Sequence, residues 1–62
     1  MDPNANLLEQ LQIAHRIITG RMQYGDEDRL AELVEALDEW LEKGGFFPVR
    51  WTRGQYTGRD ER

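Results

Sequence analysis

The chain has 62 residues, a formal net charge of −4, one histidine and no cysteine. This length allows one small domain whose stability is marginal without assistance. The absence of cysteine excludes disulfides, thiolate zinc sites and a cysteine nucleophile, and a single histidine excludes a His-rich metal site. The mild acidity disfavours general nucleic-acid binding. No signal peptide and no membrane-spanning run is recognisable, so we expect a cytoplasmic protein without membrane contact.

The first predicted helix runs from Pro3 to about Met22. Asp2 suits the N-cap position and Pro3 the first helical position, with Asn4 as a rival cap. The residues on its predicted buried stripe are Leu7, Leu11, Ala14, Ile18 and Met22, with Leu8 at the edge. Ile13 and Ile17 fall on a flank away from this stripe, so the helix has more apolar surface than one neighbouring helix would cover. Gly20 is expected to weaken the last turn.

A short connection around Gln23 to Asp26 follows. Gly25 can adopt the left-handed conformation that ends a helix, and Asp26 can cap the next one. A connection of about four residues normally joins antiparallel neighbours. The sequence therefore predicts an all-α fold, an antiparallel two-helix hairpin.

The second predicted helix, residues 27–43, shows the clearest pattern in the chain. Its apolar face has the spacing of an amphipathic helix and comprises Leu30, Leu33, Val34, Leu37, Trp40 and Leu41. Its opposite, acidic face comprises Glu32, Glu35, Asp38, Glu39 and Glu42. Gly44 and Gly45 after Lys43 are a typical helix end.

An aromatic arm follows the second helix. The run FFPVRW, residues 46–51, is too apolar for a free tail, and Pro48 prevents continuation of the helix. We expect an extended arm packed on the hairpin, with Phe46 near Leu41 and Trp51 near Ile13 and Ile17. The hairpin and arm form one predicted domain, residues 1–51, and residues 52–62 are predicted to be a flexible polar tail.

No catalytic constellation is recognisable. The chain lacks serine and cysteine, and His15 is the one base that titrates near neutral pH. Its position at the edge of the predicted stripe favours an interfacial histidine. Glu35, Glu39 and Glu42 favour a solvated helix face, because carboxylate chemistry needs a cleft that separates their pKa values. We predict no enzyme activity, no cofactor and no metal.

Several motifs give the chain a resemblance to known proteins. They are Asp2-Pro3-Asn4, the run from Leu37 to Leu41, Gly44-Gly45-Phe46, and Pro48 with Trp51. In these the chain resembles a group of small uncharacterised proteins from actinobacteria and their phages. Phe47 departs from that pattern, where an aliphatic residue is expected. The resemblance implies a phage or actinobacterial source, hence a host cytoplasm if the protein is phage-encoded, and it adds nothing about activity.

The leading functional hypothesis is a protein-binding module. Its candidate partner-binding residues are Ile13, Ile17, Phe46, Phe47 and Trp51, because they form surplus apolar surface. Self-association of two hairpins into a four-helix bundle is a version of the same idea. The alternative is an acidic nucleic-acid mimic that presents Glu32, Glu35, Asp38, Glu39 and Glu42 to a nucleic-acid-binding protein. Direct nucleic-acid contact through the arginine-containing tail is a weaker third hypothesis.

Overall fold

The computed structural model describes residues 1–52, which are mostly helical and contain no strand. Helix α1 spans Pro3–Ile18 and helix α2 spans Asp26–Glu42. The all-α class is therefore confirmed. Neither helix in this part of the chain is long and apolar enough to cross a membrane. The predicted flexible tail lies outside the described residues, apart from Thr52.

Helix α1 begins as predicted but ends earlier. The Asp2 carboxylate accepts hydrogen bonds from the backbone N–H groups of Asn4 at 2.9 Å and Ala5 at 3.3 Å. At the other end, Gly20 has a φ of +77°, and the Arg21 N–H donates to the Arg16 carbonyl at 2.7 Å. This is a Schellman motif, which needs a left-handed residue after the helix. Gly20 therefore terminates α1 instead of weakening it, and the prediction of a helix to Met22 is wrong.

The connection between the helices spans residues 19–25 and is longer than predicted. Gly25 does have a positive φ of +88°, but it occupies the N-cap position of α2 and offers no side chain. Asp26 was predicted to cap α2, yet it is the first helical residue. Its carboxylate accepts instead from the Gln23 N–H at 2.9 Å and from Arg16.

Three cross-helix contacts establish the antiparallel arrangement of α1 and α2. The Asn6 side-chain amide donates to the Leu33 carbonyl at 3.0 Å. Further along α1, Glu9 pairs with Arg29 and Arg16 pairs with Asp26. The later a residue lies in α1, the earlier its partner lies in α2, so the two helices run in opposite directions.

The buried apolar side chains are few: Leu7, Ile13, Leu33 and Leu37. On α2 the predicted apolar face does turn inward, although Val34 at its edge remains exposed. On α1 the predicted stripe is correct for Leu7, which is buried, but wrong further along, because Ile13 is only 1% exposed while Ile18 is 80% exposed.

Polar side chains explain why α1 buries a different face from the predicted one. Asn6 and Gln10 share a helix face with Ile13, and both donate side-chain hydrogen bonds to the Leu33 carbonyl. Gln10 also donates to the Asn6 amide oxygen. Because these contacts satisfy the amides, they can lie between the helices at little cost. The spacing of apolar residues alone therefore does not predict that this face of α1 is buried.

Candidate partner-binding surface

The candidate partner-binding surface is formed by the arm that follows α2. At the C-terminus of α2 the helix ends in a second Schellman motif. Gly44 has a φ of +90° and its N–H donates to Leu41, while the Gly45 N–H donates to the Trp40 carbonyl at 2.9 Å. Both bonds are those expected of this motif. The predicted helix end at Gly44 and Gly45 is thus present, and it sets the direction of the arm.

Trp40 holds the first residue of the arm in place. Its Nε1–H donates to the Phe46 carbonyl at 3.0 Å, and the two rings meet edge to face with centroids 5.5 Å apart. The Trp40 ring lies directly against the backbone of Gly45. A Cβ at position 45 would be 2.6 Å from Trp40 Cδ1 and closer still to two other ring atoms. Phe46 therefore packs on the last turns of α2, as predicted, with Trp40 as its aromatic partner.

The arm next reaches the N-terminal end of α1. The Val49 N–H donates to the Asn4 side-chain oxygen at 2.8 Å, and Pro48 is among the most completely buried residues. Residues 49–52 form a helical turn in which the N–H groups of Trp51 and Thr52 donate to the Pro48 carbonyl. The arm is therefore not extended throughout.

The arm contacts α1 near the N-terminus of the helix. Asn4 precedes Ile13 by nine residues, about 13 Å along a helix at 1.5 Å per residue. The contact of the arm with α1 is thus at the end of the helix, away from the expected site near Ile13 and Ile17. The last turn of the arm begins at Val49, directly beside this end.

Four apolar side chains of the arm remain 44–61% exposed. We call them the arm surface: Phe46, Phe47, Val49 and Trp51. Trp40 contacts the backbone at Phe46 and Asn4 contacts it at Val49, and Trp51 lies in the helical turn that follows. Clusters of exposed apolar side chains are typical of interaction sites.

Of the five predicted partner-binding residues, the three aromatic ones lie on this arm surface. Ile13 does not, because it is the most deeply buried side chain between the helices. This corrects its assignment to a surplus flank. Ile17 is 37% exposed and lies one turn beyond Ile13 on the same helix, away from the arm.

A shallow depression of about 220 Å³ lies beside the arm surface. Its lining residues are Asn4, Leu7, Leu8, Pro48, Val49 and Arg50. Pockets that bury small-molecule ligands usually have volumes of about 300–1,000 Å³. The depression is smaller than such pockets.

The acidic face of α2 is exposed, and ion pairs neutralise part of it. Glu32 lies 3.5 Å from Arg29, and Glu39 lies 3.0 Å from Lys43. The other three carboxylates have no ion-pair partner within residues 1–52: Glu35, Asp38 and Glu42. These carboxylates are separated by three and four residues, so they share one side of the helix.

Two further features concern chemistry. His15 is exposed on α1, which differs from the interfacial position that its spacing predicted. Among residues 1–52, no three side chains of the metal-binding types come close enough together to hold an ion.

Sequence reasoning missed the polar contacts that determine the geometry of this surface. Asn4 was considered only as a cap, and Asp26 likewise, yet each contacts a distant segment. Arg29 joins Glu9 through two hydrogen bonds of 2.8 and 2.9 Å, which lower the pKa of the Glu9 carboxyl. The one available signal was an amide pair, Asn6 and Gln10, at helical spacing.

Comparison with protein-family models, with curated proteins and with solved structures found no match for this chain.

Proposed function

We propose that this protein acts by binding another protein, without catalysis and without a cofactor, and that the arm surface is the contact. The observation that carries the proposal is the exposure of Phe47, which lies between the backbone contacts at Phe46 and Val49, and of Trp51, in the helical turn that follows them. A closed hairpin whose arm presents aromatic rings outward is a docking element.

The physical chemistry of association favours this surface. A contact that is ordered before binding loses less conformational entropy when the partner arrives. Aromatic residues and arginine dominate the energetics of interfaces, and Arg50 lies between Val49 and Trp51. The depression beside Val49 would receive one side chain of the partner.

The resemblance to small actinobacterial and phage proteins suggests in which cells the protein would act. A phage-encoded copy would act in the host cytoplasm, where it would modulate a host protein or a phage assembly. The natural source of partners is therefore an actinobacterial lysate.

The experiment is affinity capture from such a lysate with immobilised wild-type protein and with the double variant Phe47→Ala/Trp51→Ala. We expect a partner that wild type retains in high salt and that the double variant loses. Tyr24→Ala is the matched control, because Tyr24 is fully exposed in the connection between the helices, away from the arm. Equal capture by wild type and the double variant would contradict the proposal.

The alternative function is that of an acidic nucleic-acid mimic. It rests on α2, which has eight carboxylates and one arginine, five of the carboxylates having no ion-pair partner within residues 1–52. Binding through this face should weaken steeply as salt rises, since exposed charges are screened. Capture that fails in the triple variant Glu35→Gln/Asp38→Gln/Glu42→Gln and in high salt, but survives loss of the arm aromatics, would favour the mimic.

A further inference from the structure

The depression beside the arm surface is apolar over most of its lining. Its apolar lining residues are Leu7, Leu8, Pro48 and Val49. Leu7 and Pro48 are buried, whereas Leu8 and Val49 are each more than half exposed. A partner that contacts this depression therefore removes aliphatic surface of both α1 and the arm from water, which favours association.

The first polar residue of the depression, Asn4, contributes a hydrogen-bond donor. A backbone N–H can only donate, so the Asn4 side-chain atom that lies 2.8 Å from the Val49 nitrogen is the amide oxygen. The amide nitrogen of the same side chain forms no hydrogen bond within residues 1–52. In this part of the chain its two N–H groups remain available to an acceptor on a partner.

The second polar residue of the depression, Arg50, adds a positive charge. Arg50 is exposed and forms no ion pair within residues 1–52. A guanidinium group only donates hydrogen bonds, and a carboxylate is the side-chain acceptor that matches its two parallel N–H groups. Both polar side chains of the depression thus offer donors, and no carboxylate lines it.

The carboxylates of the hairpin lie mainly on the other helix. Helix α2 has eight of them and lines no part of the depression, whereas α1 has only Glu9, which is paired with Arg29. Asp2, just before α1, accepts two backbone N–H groups as the N-cap of that helix. The charged side chain in the lining is therefore that of Arg50, although the formal net charge of the chain is −4.

We propose that the depression binds an acidic, aliphatic segment of the protein partner. An aliphatic side chain of the segment enters the depression, and a flanking aspartate or glutamate pairs with Arg50 and accepts from Asn4. The proposal rests on the proposed function, and it names the chemistry of the partner at that site. Complementary charge carries it, because the polar groups of the depression are donors and one of them is a cation.

The test uses three acetylated and amidated peptides, EELLEE, QQLLQQ and KKLLKK, which share a leucine pair and have no terminal charge. Each is titrated into the full ¹⁵N-labelled chain, and the amide shifts of Leu8, Val49 and Arg50 are followed. We expect EELLEE to bind about three- to tenfold more tightly than QQLLQQ, because it adds a charged hydrogen-bonded contact, and KKLLKK to shift these amides least. Equal affinities for EELLEE and QQLLQQ, or no shift with any peptide, would overturn the proposal.

Two variants locate the contact. Arg50→Gln should remove the advantage of EELLEE over QQLLQQ, whereas Arg21→Gln, the matched loss of an exposed arginine in the connection between the helices, should keep it. Asn4→Asp retains the acceptor of the Val49 N–H but replaces the donor with a carboxylate, so it should also weaken binding of EELLEE. An equal loss in Arg50→Gln and Arg21→Gln would show that net charge alone governs binding, and would overturn the assignment to the depression.

Two further variants separate this inference from its alternatives. Tighter binding of EELLEE to Asp60→Asn/Glu61→Gln than to wild type would identify the chain's own carboxylates as the occupant and would overturn the proposal. Phe47→Ala/Trp51→Ala should still bind EELLEE, because neither residue lines the depression. Lysate capture that requires Phe47 and Trp51, without any binding of EELLEE, would overturn this inference and leave the proposed function standing. Binding of EELLEE at the depression, without any captured protein, would support the site and contradict the proposed function.

Discussion

Arg16 binds Asp26 through two parallel hydrogen bonds, from its Nε at 2.9 Å and from one terminal nitrogen at 2.8 Å. Asp26 is buried at the start of α2, and Arg16 belongs to the last turn of α1. The same carboxylate accepts the Gln23 N–H, so it joins both helices and the segment between them. This one side chain fixes the end of the hairpin that has no aromatic arm.

The Asp26 contacts predict a pH dependence of stability. Arg16, and then the Gln23 N–H, lower the pKa of the Asp26 carboxyl from 3.8 to about 2. A carboxyl whose pKa is lower in the folded state stabilises the fold above its unfolded pKa, and that contribution is lost as pH falls through the folded pKa. The melting temperature of wild type should therefore exceed that of Asp26→Asn above pH 3.8, and the difference should shrink toward pH 2.

The control for this titration is Glu39→Gln. Glu39 forms an exposed pair with Lys43, and pairs of this type add little to stability. Its melting temperature should follow wild type across the whole range. A difference between wild type and Asp26→Asn that stays constant down to pH 2 would show that Arg16 and Asp26 are not paired in solution.

Ile13 should contribute more to stability than any other apolar residue of α1. Ile13→Ala removes a buried side chain between the helices and should cost about 2–5 kcal/mol in the free energy of unfolding. Ile18→Ala, the matched change on the exposed side, should stay within about 0.5 kcal/mol of wild type. Denaturant unfolding measures both. A larger loss for Ile18→Ala than for Ile13→Ala would support the buried stripe predicted from the sequence.

The two glycines after α2 should respond differently to substitution. Gly44→Ala places a side chain at positive φ and should cost about 1–2 kcal/mol. Gly44→Asn should cost less, since asparagine tolerates that conformation. At position 45 the obstacle is the Trp40 ring, so Gly45→Ala should cost about 1–3 kcal/mol from overpacking, and asparagine should give no relief. Tolerance of Asn at position 45 in denaturant unfolding would contradict the Trp40 contact.

Asn4 should hold the end of the arm. Asn4→Ala removes the acceptor of the Val49 N–H and should cost about 0.5–1.5 kcal/mol, with faster hydrogen exchange at Val49. Asn4→Asp keeps an acceptor oxygen and should retain the protection of that amide. Equal exchange rates in wild type and Asn4→Ala would mean that the arm is anchored elsewhere.

Sequence reasoning recovered the elements whose signal is local. Four features follow from neighbouring residues: the Asp2 cap, the start of α1 at Pro3, the inward face of α2 and the end of α2 at Gly44. These patterns depend on residues within a few positions of one another, so they can be read from the linear sequence.

What could not be predicted depends on pairs distant in sequence. The Asn6 amide meets Leu33 across the hairpin, and this contact turns Ile13 inward. Asn4 meets Val49 over 45 positions, which places the arm at the end of α1. A polar side chain on a buried face looks like a solvated one until its partner is known.

The most direct test of the account is whether the arm is ordered while its rings are exposed. Backbone ¹⁵N relaxation of the free protein measures this, with the order parameters of residues 45–52 compared with those of α1 and α2. The account predicts values of about 0.85 in the arm, as in the helices. Values below about 0.6 in residues 45–52, with both helices rigid, would contradict a docking surface formed before binding.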